Sequence, residues 1–334
     1  MLKKDLGLGV LILVVGFFVY LRNPLFLSPN NLANTANLIG LFGLFSIAQG
    51  FVIITGGIEL SVGSMIALLG VLFVDLVGRL GVPWPIAGGI VLVLGLLLGL
   101  AHGLLITKLK MQPFVVTLCG LLIYRGAARG YTADATAGFP FGSEYPGLDF
   151  FVARPFGIPT SVYVLAVVAI IAWFVLHRSV FGRYLYAVGK NEEAARYSGI
   201  RTDLVIAAAY VICGGLTAIA AIFFAMYTRS VSPSGHANFY ELYAIAAAVL
   251  GGFSLRGGEG SIVGVVLGTI LLQILQNLVN LLGIPSSLNF AVMGTVILLG
   301  VHADQQFARY RERRRTLEAA RTSAPASRAA NPAA

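Results

Sequence analysis

Glu59 is the residue best placed to do chemistry. It is the one carboxylate between Asp5 and Asp75, and apolar runs at 51–55 and 62–74 flank it. A charge at mid-membrane costs about 2.5–3.5 kcal/mol on insertion scales. It persists only where it is paired, hydrated or near an interface. Gly56 and Gly57 precede it, Gly63 follows it, and Ser61 and Ser64 add hydroxyls. Glycines at this density break or sharply bend a helix. Broken backbone at membrane depth survives only inside protein or along a cavity. Two readings follow. Gly56, Gly57, Glu59, Ser61, Gly63 and Ser64 form a structured break beside a translocation pathway, with a gating role. Alternatively, they form a tight turn between two helices, with Glu59 capping the second.

A related stretch runs from Leu250 to Ser261. It carries Gly251, Gly252, Ser254, Gly257 and Gly258, with Glu241 upstream. Aligning the glycine pairs matches Gly56, Gly57, Leu60 and Gly63 with Gly251, Gly252, Leu255 and Gly258, so an internal repeat and convergent turn chemistry both remain open. Between these stretches, residues 189–200 read as a short helix complete in itself. Asn191 suits the N-cap, Glu192 and Glu193 favour the positive helix start, and Arg196 favours the negative end. Gly199 suits the left-handed position beyond the last turn. Ala194, Ala195 and Ser198 complete it. A helix of two turns is marginal in water, so the membrane domain or a partner's groove must hold it.

Other chemistries lack their residues. No G-x-x-x-x-G-K-[S/T] loop is present for phosphate, and Gly189-Lys190 continues into Asn191. The four histidines, at 102, 177, 236 and 302, are scattered without metal-ligand spacing. Cys119 and Cys213 each lie inside an apolar run and form no disulfide framework. A membrane-embedded enzyme needs a cluster of intramembrane acids or histidines, whereas Glu59 stands nearly alone. We expect no catalytic residue, no metal and no cofactor on this chain.

The elements that position these residues follow from composition. The chain has 334 residues, 57% apolar and 11% charged. Soluble domains carry about 25% charged residues, so lipid is the main solvent here. The net charge of +9 lies in loops and a tail, with no basic and aromatic groove for nucleic acid. Spans are expected at 6–21, 31–54, 60–77, 84–107, 112–128, 160–177, 204–226, 240–254, 261–282 and 286–301. This is an all-α polytopic bundle of about ten spans, or eight to ten if the short fifth and eighth are re-entrant. The first span follows Met1-Leu2-Lys3-Lys4 without a cleavage site and reads as retained. With the N-terminus inside, seventeen of the 23 basic residues fall inside, and Arg22, Arg79, Arg125, Arg129, Arg154 and Arg229 fall outside. That bias predicts N-in/C-in. Residues 1–307 form one transmembrane domain with an outer loop at 129–159 and an inner segment at 178–203. Residues 308–334 form a basic tail expected to be disordered. Gly95, Gly99 and Gly103, and likewise Gly264 and Gly268, make faces for close helix packing.

Three runs together resemble a known family. They are I-T-G-G-I-E-L-S-V-G-S at 54–64, A-V-G-x-N-x-x-A-A-x-x-S-G-I at 187–200, and E-L-x-A-I-A-A-x-V-L-G-G-x-S-L-x-G-G-x-G-S at 241–261. The chain resembles, over about residues 30–305, the permeases of bacterial ATP-binding-cassette (ABC) importers of the ribose, xylose and galactose type, relatives of the branched-chain amino-acid permeases. The resemblance implies a seat in the bacterial inner membrane and a second permease copy or paralogue. It also implies a cytoplasmic ABC ATPase holding ATP and magnesium, and a soluble sugar-binding protein delivering substrate. The 191–198 helix would be the coupling helix in the ATPase groove. Two departures stand out. Family members commonly carry Asp in place of Glu59 and in place of Tyr243. The competing expectation is a secondary transporter with Glu59 as its proton or sodium carboxylate.

Overall fold

The computed structural model describes residues 2–140, 145, 147–285 and the single positions 288, 291, 294, 295 and 298. The tenth expected span, apart from those positions, and the basic tail lie outside the described residues. The rest is built almost wholly from helices. In order they are α1 (Leu2–Arg22), α2 (Pro29–Ile53), α3 (Val62–Gly78), α4 (Trp84–Thr107), α5 (Pro113–Thr132), α6 (Asp149–Val152), α7 (Thr160–His177), α8 (Val180–Lys190), α9 (Glu192–Tyr197), α10 (Thr202–Thr228), α11 (Tyr240–Leu250) and α12 (Ile262–Leu281). Lipid cannot hydrogen-bond a backbone, so apolar segments close their own bonds as helices. Five of them, α2, α4, α7, α10 and α12, are long and apolar enough to cross a membrane.

The eighth expected span, 240–254, is expected either to cross or, being short, to be re-entrant, and α11 stops at Leu250 after 11 residues. At 1.5 Å per residue it is about 16 Å long, half the ~30 Å hydrocarbon core. Gly251 and Gly252 end it, the latter at φ 96°, a conformation that favours glycine. Arg125, counted on the outer side, lies within α5, seven residues before its end, as the expected span 112–128 places it. Its positive charge weighed in the loop census, although the helix carries it.

The core is α2, α3 and α10, with α4, α11 and α12 packed around them. Glycines set the approach of α4 to α10. A Cβ at Gly95 would meet the Gly214 carbonyl, one at Gly99 the Tyr210 carbonyl, and one at Gly103 the Ala207 backbone. Gly264 and Gly268 do the same for α12 against Gly251 and Ala247. Both glycine faces read in the sequence are therefore packing faces. The segments 129–159 and 227–239 meet through a two-stranded ribbon, β1 (Ala137–Gly138) antiparallel to β2 (Ser230–Val231).

Candidate functional site

α2 ends at Ile53 and α3 starts at Val62; the N–H groups of residues 54–57 still bond back to the last turn of α2, and residues 58–61 lie outside both helices. The freed polar groups find partners in four neighbouring helices. The Gln49 amide, oriented by those partners, donates to the Glu59 carbonyl (3.1 Å) and accepts from the Glu59 N–H (3.2 Å). The Ile58 carbonyl accepts from Tyr210 of α10 (3.2 Å) and Thr117 of α5 (3.3 Å). Tyr210 lies about 12 Å along α10 by helical rise, so the break dips well into the protein.

Glu59 is buried at 2% exposure. Its Oε1 accepts from the Ser61 N–H (2.7 Å) and the Ser61 hydroxyl (2.6 Å). Its Oε2 lies 2.7 Å from Nδ1 of His102, itself 2% exposed, on α4. A carboxylate only accepts, so Nδ1 carries the proton and donates. The other ring nitrogen, Nε2, is 2.8 Å from the Tyr124 hydroxyl of α5, which donates to it. Gly120 gives the ring its space, since a Cβ there would press on Nε2 at 2.6 Å. Glu59, His102 and Tyr124 thus form one buried chain across the break, α4 and α5. Sequence reading found Glu59 but passed over His102 as one of four scattered histidines. Its only signal was a histidine inside the glycine-striped α4. Glu59 thus bonds the Ser61 N–H just before α3 and is paired inside the bundle.

A second polar centre lies at the starts of α3 and α11. The Glu241 carboxylate, buried, lies against the Gly63 backbone at the start of α3. A negative charge suits this helix start. The Ala237 carbonyl and the Glu241 carboxylate press so closely on Gly63 that no side chain fits there. Arg125 donates to the Pro233 (3.1 Å) and His236 (2.8 Å) carbonyls and pins the 232–239 turn. Ser64 turns back to the Ser61 carbonyl (2.8 Å). Next to this centre, Tyr243 is buried among aromatic rings, facing Phe42 at 5.8 Å and Tyr240 at 6.3 Å.

The third motif mirrors the first in form. Gly56 (φ 81°) and Gly252 (φ 96°) each turn the chain out of a helix, and Ser61 and Ser261 each precede the next one. This equates Gly56 with Gly252, one place from the glycine-pair alignment. The second break is four residues longer from that glycine to the serine, so no gapless alignment can match both ends. Ser261 caps α12 by accepting from Gly264 N–H (2.8 Å), whereas Ser61 is itself held by Glu59. The Ser254 hydroxyl accepts from the Arg256 N–H (3.3 Å) within the turn.

α9 forms as its residues dictate. Asn191 caps it by accepting from Ala194 N–H (2.9 Å), and Arg196 pairs with Glu192 (2.6 Å). Gly199 takes φ 84° just past its end, and the Ser198 hydroxyl donates to the Ala194 carbonyl (2.9 Å). Only Ala195 is buried, and Tyr197 is 92% exposed. The base is ionic. Asp203 on α10 meets Lys110 at 3.0 Å, Arg196 at 3.5 Å and Lys108 at 3.6 Å. The support demanded by so short a helix is therefore the turn after α4 and the start of α10.

Comparison with known proteins agrees with the motif order. The family described as branched-chain amino acid transport system / permease component matches residues 31–301. The ribose import permease protein of Escherichia coli K12 is 38% identical over 306 residues, covering 91% of this chain and 93% of the relative. That of Bacillus subtilis 168 is 38% identical over 312 residues, covering 90% and 91%. The xylose transport system permease protein of Escherichia coli K12 is 31% identical over 365 residues, covering 90% and 93%. No solved structure matches the chain. With its apolar helices and full-length agreement, the chain belongs to the family of branched-chain amino acid transport permeases, the membrane subunits of ABC importers, and is a transport component rather than an enzyme.

Proposed function

We propose that this permease carries a pentose-class sugar across the bacterial cytoplasmic membrane, with ATP and magnesium held by a separate ATPase. The observation that carries the reading is α9: a capped helix with one buried residue, standing on an ionic base and offering Tyr197 outward. A helix built this way fits a groove on a partner, and the ATPase is the partner the family uses. The sugar assignment rests on the ribose and xylose relatives. In this reading Gly189, Asn191, Glu192, Ala194, Ala195, Arg196, Ser198 and Gly199 make the coupling segment. The two glycine breaks, 54–64 and 251–261, with Glu241, set the gating of the pathway between this chain and a second permease copy or paralogue.

The topology is one of eight to ten spans, with the N-terminus and α9 on the cytoplasmic side. A soluble sugar-binding protein docks on the opposite side, on the segments that the β1–β2 ribbon joins. Both oxygens of Glu59 are already engaged by Ser61 and His102. That favours a structural carboxylate over an ion-coupling one. The test is uptake of D-ribose and D-xylose into proteoliposomes holding the intact transporter and its binding protein. Uptake that needs ATP and the binding protein is the expected result. Uptake by this chain alone, driven by a pH or sodium gradient, would overturn the proposal in favour of secondary transport.

A further inference from the structure

The three sequence motifs meet at one point that none of them reveals alone: the elbow between α8 and α9. The Gly258 N–H donates to the Ile54 carbonyl (2.8 Å), joining the second glycine break to the first. Gly189, in the last turn of α8, packs onto that same bond. A Cβ on it would collide with the Ile54 carbonyl and the Gly258 N–H. On the other side, a Cβ at Gly257 would press 2.8 Å from both the Gly189 carbonyl and the Gly56 nitrogen. Backbone therefore touches backbone among three segments, with no side chain between them to absorb movement.

Two further contacts fasten the elbow. Lys190 Nζ pairs with Glu259 Oε1 at 2.5 Å, and the Tyr186 hydroxyl donates to the Gly260 carbonyl at 2.8 Å. Asn191 follows at once and is both the end of α8 and the cap of α9. A displacement of α9 that travels back into α8 therefore passes through Gly189 and Lys190 to both breaks. The first break leads into α3 and the second into α12.

We propose that Gly189 and the Lys190–Glu259 pair are positioning residues that tie α9 to both helix breaks at once, so that a push on α9 moves α3 and α12 in a single step. This rests on the reading of α9 as the ATPase-facing helix. A close-packed backbone junction transmits displacement because packed interiors are bistable rather than soft. The ion pair is its adjustable part, since it is half-exposed and its charges can be exchanged without filling space in the core.

The experiment measures sugar transported per ATP hydrolysed, using D-ribose, in proteoliposomes of the whole transporter. Lys190→Glu should lower that ratio by about two- to fivefold, the scale of one solvent-accessible ion pair. Maximal uptake should fall while the KM for ribose stays unchanged. Lys190→Glu with Glu259→Lys should restore the ratio. Gly189→Ala should lower it by about tenfold or more, as overpacking against backbone demands. If the alanine variant does not assemble, the charge exchange still decides. A ratio unaffected by Lys190→Glu, or a loss that the exchange does not restore, overturns the proposal. Absence of ATP-dependent uptake in the wild-type transporter would instead overturn the reading of α9, so the two failures are distinguishable.

Discussion

Replacing His102 with leucine tests the buried chain directly. The ring supplies the one hydrogen bond found for Glu59 Oε2 among the described residues, and it accepts from Tyr124. Leucine fills similar space but leaves a carboxylate oxygen bare at 2% exposure and a buried hydroxyl without its acceptor. A buried hydroxyl left unsatisfied costs about 1–3 kcal/mol and a charged oxygen more, so the two together cost about 3–5 kcal/mol. Scaled by the usual dependence of melting temperature on stability, this is a fall of roughly 6–15 °C. The assay is thermal unfolding of the purified chain in detergent.

Two companions sharpen it. His102→Asn places an amide nitrogen near the position of Nδ1, so it should recover part of the loss through Glu59. Glu59→Leu with His102→Leu removes the unpaired charge and should be less unstable than the sum of the single changes by more than about 0.5 kcal/mol, the limit of ordinary additivity. The reasoning fails if His102→Leu melts within about 2 °C of wild type, a shift worth under 1 kcal/mol. It also fails if the single losses simply add.

Two further outcomes follow from packing and pinning. Gly99→Ala should cost about 1–3 kcal/mol by forcing α4 from the Tyr210 carbonyl, whereas Gly126→Ala, with open space around it, should be neutral or gain up to about 1 kcal/mol; unfolding curves of the two variants check this. Arg125→Ala frees the Pro233 and His236 carbonyls, and the 232–239 turn should lose hydrogen-exchange protection while the 54–61 break keeps its own; equal exchange in both segments would count against Arg125 as the local pin.

The sequence made the helices legible because apolar length and glycine spacing act locally. α9 was readable almost atom by atom: Asn191, Glu192, Arg196 and Gly199 each do what their place in a capped helix requires. The pairing of α4 with α10 was only half readable. The face of Gly95, Gly99 and Gly103 showed that something packs there, but Gly214 and Ala207, over a hundred residues away, decide what. His102 and Arg125 were missed for a related reason. Each sits in a helix that reads as an apolar span, and its meaning comes from a partner brought close by the fold. The eighth span stays open between crossing and re-entrant in the sequence because a half-length helix followed by a buried glycine turn has the same composition as a full crossing.

The proposed role of the first break rests on how its polar groups are satisfied. Gly56 and Gly57 N–H groups bond back to Ile53 and Val52 at 2.9 and 3.3 Å, and the Ile54 carbonyl accepts from Gly258. The Ile58 carbonyl takes two side-chain donors, Glu59 exchanges two bonds with Gln49, and Ser61 N–H binds Glu59. These groups are satisfied by protein, whereas groups that coordinate a solute must be held in reserve for it. Residues 54–61 thus have the properties of a stiff strut. One end is fixed to α4 and α5 through His102, Tyr124 and Thr117, and the other touches the α8–α9 elbow. A strut in that position passes displacement from one face of the bundle to its middle, where α3 begins against Glu241. On this argument Glu59 holds a moving part in shape, and substitutions around it should change turnover before they change which sugar is chosen.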